Sequence, residues 1–146
     1  MKQVVLIIIF NFLLSQDCDD GYTYIPASEI PFTTTSLPFN PGPYTCFNDG
    51  DLQFLIDLNQ LNDLGYDSPI SLGTQTWNNG KLKVFVGTYT PTGSGITSTQ
   101  IQILPENISN LNELVTLYLE WNHLSDFPGS FTQLSSLKNL YISNNK

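Results

Sequence analysis

The segment Leu114-Val115-Thr116-Leu117-Tyr118-Leu119-Glu120-Trp121-Asn122-His123-Leu124 is echoed 23 residues later by Leu137-Lys138-Asn139-Leu140-Tyr141-Ile142-Ser143-Asn144-Asn145-Lys146. Leu114, Leu117, Leu119 and Asn122 meet Leu137, Leu140, Ile142 and Asn145 at that one offset. The linking stretch obeys it too: Ile101, Leu104, Pro105, Ile108 and Leu111 are followed by Leu124, Phe127, Pro128, Phe131 and Leu134. Within each copy the last two apolar residues alternate at strand period, so Leu117 and Leu119 face one side and Tyr118 the other. The asparagine stands at a bend that leaves backbone groups unpaired, where a carboxamide both donates and accepts. Asn122 and Asn145 are therefore read as structural.

The template L-x-x-L-x-L-x-x-N-x-L resembles the leucine-rich repeat family, in its 23-residue Leu-Pro form. Secreted bacterial leucine-rich repeat proteins are similar, with a capping region ahead of such repeats. The resemblance covers residues 72 to 146, fading toward the front. It implies an α/β solenoid with a short parallel sheet on the concave face and turns or short helices on the convex one. Such units are stable in stacks and need capped ends. Lys146 falls just after a turn asparagine with no return segment, so Leu137, Leu140 and Ile142 would keep one side bare. The pattern thus implies a fragment of a longer array, or association through that edge.

Ahead of the repeats, residues 1 to 16 read as a secretory signal. Lys2 gives the positive start, Val4 to Leu14 an apolar run broken only by Asn11, and Ser15 and Gln16 the exit. The run is shorter than the roughly 20 apolar residues of a membrane span. The expected location is secreted or cell surface, without membrane insertion. Residues 17 to 46 form a Pro- and Thr-rich segment holding Pro26, Pro31, Pro38, Pro41 and Pro43, a composition that resists helix and interior strand. It reads as an extended wrap. Cys18 and Cys46 are the only cysteines. In an exported protein they suggest a disulfide contributing roughly 3 to 4 kcal/mol in the chain-entropy account, the alternative being two free thiols.

Residues 47 to 80 read as an N-terminal cap of helix plus hairpin strand, and residues 81 to 146 as about two and a half repeats. Asn48 is a helix N-cap, Phe47 and Leu52 take the staple positions, and Asp49 and Asp51 load the first turn with charge favoured by the helix dipole. Leu52, Leu55, Ile56 and Leu61 are the expected core side, with the helix ending near Gly65. Leu72 to Trp77 and Leu82 to Val86 flank Asn78-Asn79-Gly80, a hairpin signal. Val84 and Val86 align with Leu117 and Leu119 at 33 residues, the surplus over one period being an inserted loop at Tyr89 to Thr99.

Stacking in that register makes Phe85, Tyr118 and Tyr141 one exposed aromatic column on the concave face, with Glu120, Trp121 and His123 beside it. Large rigid aromatics are frequent interface anchors, so these six residues are the candidates for contact with a protein partner. A glycan-binding surface, a scaffold for a domain beyond Lys146, and a ladder that merely packs the sheet are the alternatives. Composition narrows the rest. The chain carries 13 acidic residues against five basic ones, all lysine, for a formal charge of −8; losing Lys2 with the signal makes it more negative still. Nucleic acid would be repelled. The single histidine, His123, has no evident nucleophile and acid to work with, and Glu120 and Asp126 fall on different sides of the repeat turn, so no catalytic residue and no cofactor is expected. Acidic runs at Asp17, Asp19, Asp20 and at Asp49, Asp51 do not follow an EF-hand spacing, and no metal is expected. Asn107-Ile108-Ser109 is a glycosylation sequon that matters only in a eukaryotic secretory pathway.

Overall fold

The computed structural model describes residues 18–37 and 45–146. The expected signal segment, with Asp17, Pro38, Pro41 and Pro43, lies outside the described residues. The architecture is mixed α/β. A two-stranded antiparallel ribbon pairs β1 (Tyr22–Tyr24) with β3 (Cys46–Asn48), and a five-stranded mixed sheet has the order β2 (Thr34–Leu37), β4 (Thr74–Asn78), β5 (Lys81–Val86), β6 (Thr116–Tyr118), β7 (Asn139–Tyr141). Among the described residues one α-helix, α1 (Asp49–Leu61), packs on the sheet through a single core.

Cys18 and Cys46 are joined in a disulfide, with Cα atoms 5.7 Å apart. It ties the start of the described chain to β3, directly before α1. Asn48 caps the helix as its sequence position suggests: its Oδ1 accepts from the Asp51 amide at 3.3 Å. Phe47 and Leu52 are both buried. The buried side is Leu52, Phe54, Leu55 and Leu58, whereas Ile56 is only half-buried and Leu61 is exposed. Leu61, expected on the core side, is instead 52% exposed and lines an open surface groove with Asp57, Gln60 and Pro105. Asp51 departs further from expectation. It is fully buried, and its Oδ2 accepts from the Leu82 amide at 2.8 Å, pinning the helix start to the hairpin.

The hairpin forms, and Asn79 and Gly80 both have positive φ, 50° and 70°, as a type I′ turn requires. Its first strand starts at Thr74 and not at Leu72. Gly73 just ahead has φ +63°, and a Cβ there would lie 2.2 Å from the Val86 carbonyl oxygen, so the chain turns in tightly before it can pair. The proline-rich segment contributes β2, which sits at the edge of the sheet, parallel to β4, where proline-flanked chain is tolerated.

A bulge in β5 corrects the expected repeat register. Thr76 pairs with Val84 but Trp77 pairs with Leu82, leaving Lys83 as an extra residue. The insertion breaks strict alternation, so Leu82 and Phe85 both point into the core while Val84 and Val86 are half-buried. Phe85, not Val84, then pairs with Leu117, at an offset of 32. Its ring also occupies the space of the second core residue: Gly87 stands at the place of Leu119, and a Cβ on it would come within 2.9 Å of the Phe85 ring.

Behind β5 the backbone recurs every 23 residues. The 3₁₀ turns Glu106–Asn110 and Gly129–Gln133 are preceded by Pro105 and Pro128 and closed by Leu111 and Leu134. Trp121 and Asn144 adopt the same left-handed conformation, φ 59° and 57°. β6 and β7 pair in parallel, Leu117 with Leu140 and Tyr118 with Tyr141. Burial falls along the stack: Phe85 and Leu117 are inaccessible, while Leu140 is 38% exposed.

Candidate functional site

The candidate surface is the face of β5, β6 and β7 turned away from the core, together with the turn that follows β6. Its frame is set by the two asparagines. Asn122 is buried; its Oδ1 accepts from the Ile101 amide at 2.8 Å, and its Nδ2 donates to the carbonyls of Gly87 at 2.8 Å and Leu119 at 3.1 Å. Asn145 repeats this one unit on, accepting from the Leu124 amide at 3.0 Å and donating to Leu119 and Ile142, each at 2.8 Å. Each carboxamide thus ties its own bend to the preceding unit.

The register makes the outward column Val86, Tyr118, Tyr141. Phe85 is removed from the candidate set: the bulge turns it inward, where it is inaccessible and meets Phe54 edge-on with ring centres 6.2 Å apart. Tyr118 and Tyr141 are brought together, stacked with ring centres 4.4 Å apart and planes within 4°. Glu120 lies beside them, its Oε1 accepting from the Ser143 hydroxyl at 3.0 Å. His123 is exposed, and its amide donates to the Ile101 carbonyl at 2.9 Å.

Trp121 is the outlier of the group. It is 56% exposed and has a left-handed backbone, a conformation that large side chains seldom adopt. Its amide donates to the Ser143 carbonyl at 3.0 Å, and its own carbonyl accepts from Gln100 Nε2 at 2.7 Å. With Gln100 and Tyr89, Thr90, Pro91 and Thr92 it lines an open cleft of about 460 Å³. The inserted loop is a built structure: Tyr89 bridges to Ile96, the Thr90 amide donates to the Ile96 carbonyl at 2.9 Å, and Ile96 is buried. The Thr74 hydroxyl donates to the Ser94 carbonyl, fastening the loop to β4. Tyr89 was missed because it opens the loop read as surplus to the period, and Gln100 because it lies just past that loop. Their only sequence signal is an aromatic at the start of a long loop, where binding residues concentrate.

In comparison with known proteins, no family model, no curated protein and no solved structure matches the chain. The chemistry of the site rests on its own residues.

Among the described residues no three His, Cys, Asp or Glu side chains are placed to hold a metal ion, and no helix is long and apolar enough to cross a membrane. Among the described residues, Asp51 is the one strongly perturbed acid. Burial pushes its pKa up to about 6, against the opposing pull of the Leu82 amide and of Lys81, whose Nζ is 3.7 Å from Oδ1. It lies under the hairpin, away from the aromatic face. The sequon residue Asn107 is held by its Nδ2 donating to Asp57 at 2.7 Å.

Proposed function

We propose that the chain is an exported leucine-rich repeat recognition module that binds a protein partner through the concave face of β5 to β7 and performs no catalysis. The observation that carries this reading is the stacked Tyr118–Tyr141 pair beside a half-exposed Trp121, on the side of the sheet away from the core. Aromatic rings lose little rotamer freedom on binding and supply large contact area. Glu120 and His123 at the rim add polar contacts that fix orientation. The repeat assignment is supported by the parallel pairing of β5, β6 and β7 and by the recurrence of turns, left-handed residues and asparagine ladders at 23-residue spacing. Export is supported by the Cys18–Cys46 bond, which is consistent with an extracellular protein, and by the apolar run at Val4 to Leu14.

The test is a display screen of extracellular protein ectodomains against the wild-type chain and a Tyr118→Ser, Tyr141→Ser variant. Recognition predicts ligands captured by the wild type and lost by a variant that stays folded, its melting temperature lower by only a few degrees. Ligands that bind both proteins equally would move the contact to another surface.

A further inference from the structure

The cleft between Trp121 and the inserted loop has a chemistry unlike the rest of this chain. Its lining, Tyr89, Thr90, Pro91, Thr92, Gln100 and Trp121, bears no charge in a protein of formal charge −8. Its volume of about 460 Å³ falls in the range of roughly 300–1,000 Å³ typical of small-ligand sites. An indole is held half-exposed on one wall, and the rest of a mostly apolar lining comes from Tyr89, Thr90, Pro91, Thr92 and Gln100, with Thr90 Oγ1 accepting from the Gly95 amide at 3.2 Å and Gln100 Nε2 donating to the Trp121 carbonyl. These groups both donate and accept hydrogen bonds and none can neutralise an ion.

We propose that this cleft is a binding site for a neutral pyranose ring, the terminal sugar of a glycan. Three observations converge on that ligand class. A sugar ring presents a face of weakly positive C–H bonds, which complements the negative face of the Trp121 ring, and their contact removes apolar surface from water. Its edge presents hydroxyls that both donate and accept, matching the tyrosine, threonine and glutamine groups of the loop. The absence of a lysine or arginine from the lining disfavours phosphate, sulfate and carboxylate ligands, which the chain's overall charge also repels.

The backbone adds a separate argument. Trp121 and Asn144 occupy the same place in successive units, both left-handed. Asparagine tolerates that conformation and tryptophan tolerates it poorly. The turn therefore holds an indole where a smaller residue would fold more easily, and the Gln100 side chain braces it by donating to its carbonyl. The loop that completes the cleft is fixed to β4 and to the core through Thr74 and Ile96, so the walls are preorganised. The site lies beside the tyrosine column and goes beyond the protein-recognition reading: it shares Trp121 with that surface, while Tyr89, Thr90, Pro91, Thr92 and Gln100 do not belong to it.

The experiment is saturation-transfer NMR on the full chain with the methyl pyranosides of glucose, galactose, mannose and N-acetylglucosamine, with methyl glucuronide as the charged control and a hexaproline peptide as the rival occupant. Tryptophan emission is followed in parallel, because Trp77 is inaccessible and only Trp121 can report. The expected result is saturable transfer from at least one neutral glycoside with a dissociation constant on the order of 1 mM, a blue shift of the emission, and no transfer from the glucuronide. Trp121→Asn, which suits the left-handed backbone and keeps the fold, abolishes transfer; Trp121→Phe retains part of it; Tyr118→Ser leaves it unchanged. The proposal is overturned if no neutral glycoside binds, if only the hexaproline peptide binds, or if the folded Trp121→Asn variant binds as well as the wild type. Loss of sugar binding in Tyr118→Ser would instead assign the ligand to the sheet face.

Discussion

The front of the molecule, up to β5, and the back, from Ile101 onward, solve the same problem in different ways. Both must bury apolar side chains without stranding backbone polar groups. In the front each solution is singular: Asp51 reaches the Leu82 amide, the Thr34 hydroxyl donates to the Ile70 carbonyl at 2.6 Å, and Gln75 bridges the Pro69 and Leu72 carbonyls to the Trp77 indole. In the back one residue type at one spacing does it twice, through Asn122 and Asn145. The front has a closed core, whereas burial in the back declines from one unit to the next. Where one pattern occurs twice, the contribution of a residue depends on how far its copy is covered.

That dependence is sharpest for the strand leucines. Leu117→Ala should destabilise the protein by about 4 kcal/mol, as a large-to-small change at an inaccessible core site. Leu140→Ala, at the matching position in the partly exposed last unit, should cost about 1 kcal/mol or less. Urea unfolding of the two variants checks this, and equal losses would break the picture of declining burial.

The singular character of the front shows in pH dependence. The Asp51 pKa is raised from 3.8 to about 6 in the folded protein, so the native state binds this proton more tightly than the unfolded chain does. The associated stability is fully present below about pH 4 and is lost as pH rises through 6. Its size is about 3 kcal/mol as an upper bound. Asp51→Asn should flatten the unfolding free energy between pH 4 and 6 relative to wild type and be the more stable protein at pH 7. A variant with the wild-type slope would show that Asp51 is not the titrating group.

The asparagines compare the units directly. Asn122→Ala strands the buried Ile101 amide and Gly87 carbonyl and should cost roughly 2 to 3 kcal/mol, against about 1 kcal/mol for the more accessible Asn145→Ala. Differential scanning calorimetry of both variants ranks them. The smallest expected effect has the opposite sign. Trp121→Asn relieves a left-handed tryptophan and should raise stability by up to about 1 kcal/mol, read as an increase in the urea midpoint. A fall would mean that the exposed indole supports the fold.

Much of the back was legible in sequence because its contacts recur. Leu114, Leu117, Leu119 and Asn122 stand in one frame with Leu137, Leu140, Ile142 and Asn145, and the parallel pairing of β6 with β7 keeps that frame. The hairpin at Asn79-Gly80 and the cap at Asn48 were legible from local chemistry. The register of β5 was not, since a bulge at Lys83 depends on fitting Phe85 against Phe54 across the core, a contact no local pattern encodes. The same slip placed Phe85 on the outer face and hid the role of Gly87. Asp51 looked like an ordinary first-turn acid because its partner, the Leu82 amide, lies 31 residues away. Of the candidate surface, Tyr118 and Tyr141 were legible by period, while the cleft walls from Tyr89 to Thr92 belong to an aperiodic loop.

On the recognition reading proposed above, the outer aromatic face is not what holds the sheet together. The most direct measurement is the urea unfolding free energy of Tyr118→Ser, Tyr141→Ser set beside that of Leu117→Ala. That reading predicts a loss of about 1 kcal/mol, the worth of one part-exposed stacked pair, well below the loss at Leu117. A loss as large as that of Leu117→Ala would contradict it and make the stack a packing element of the fold.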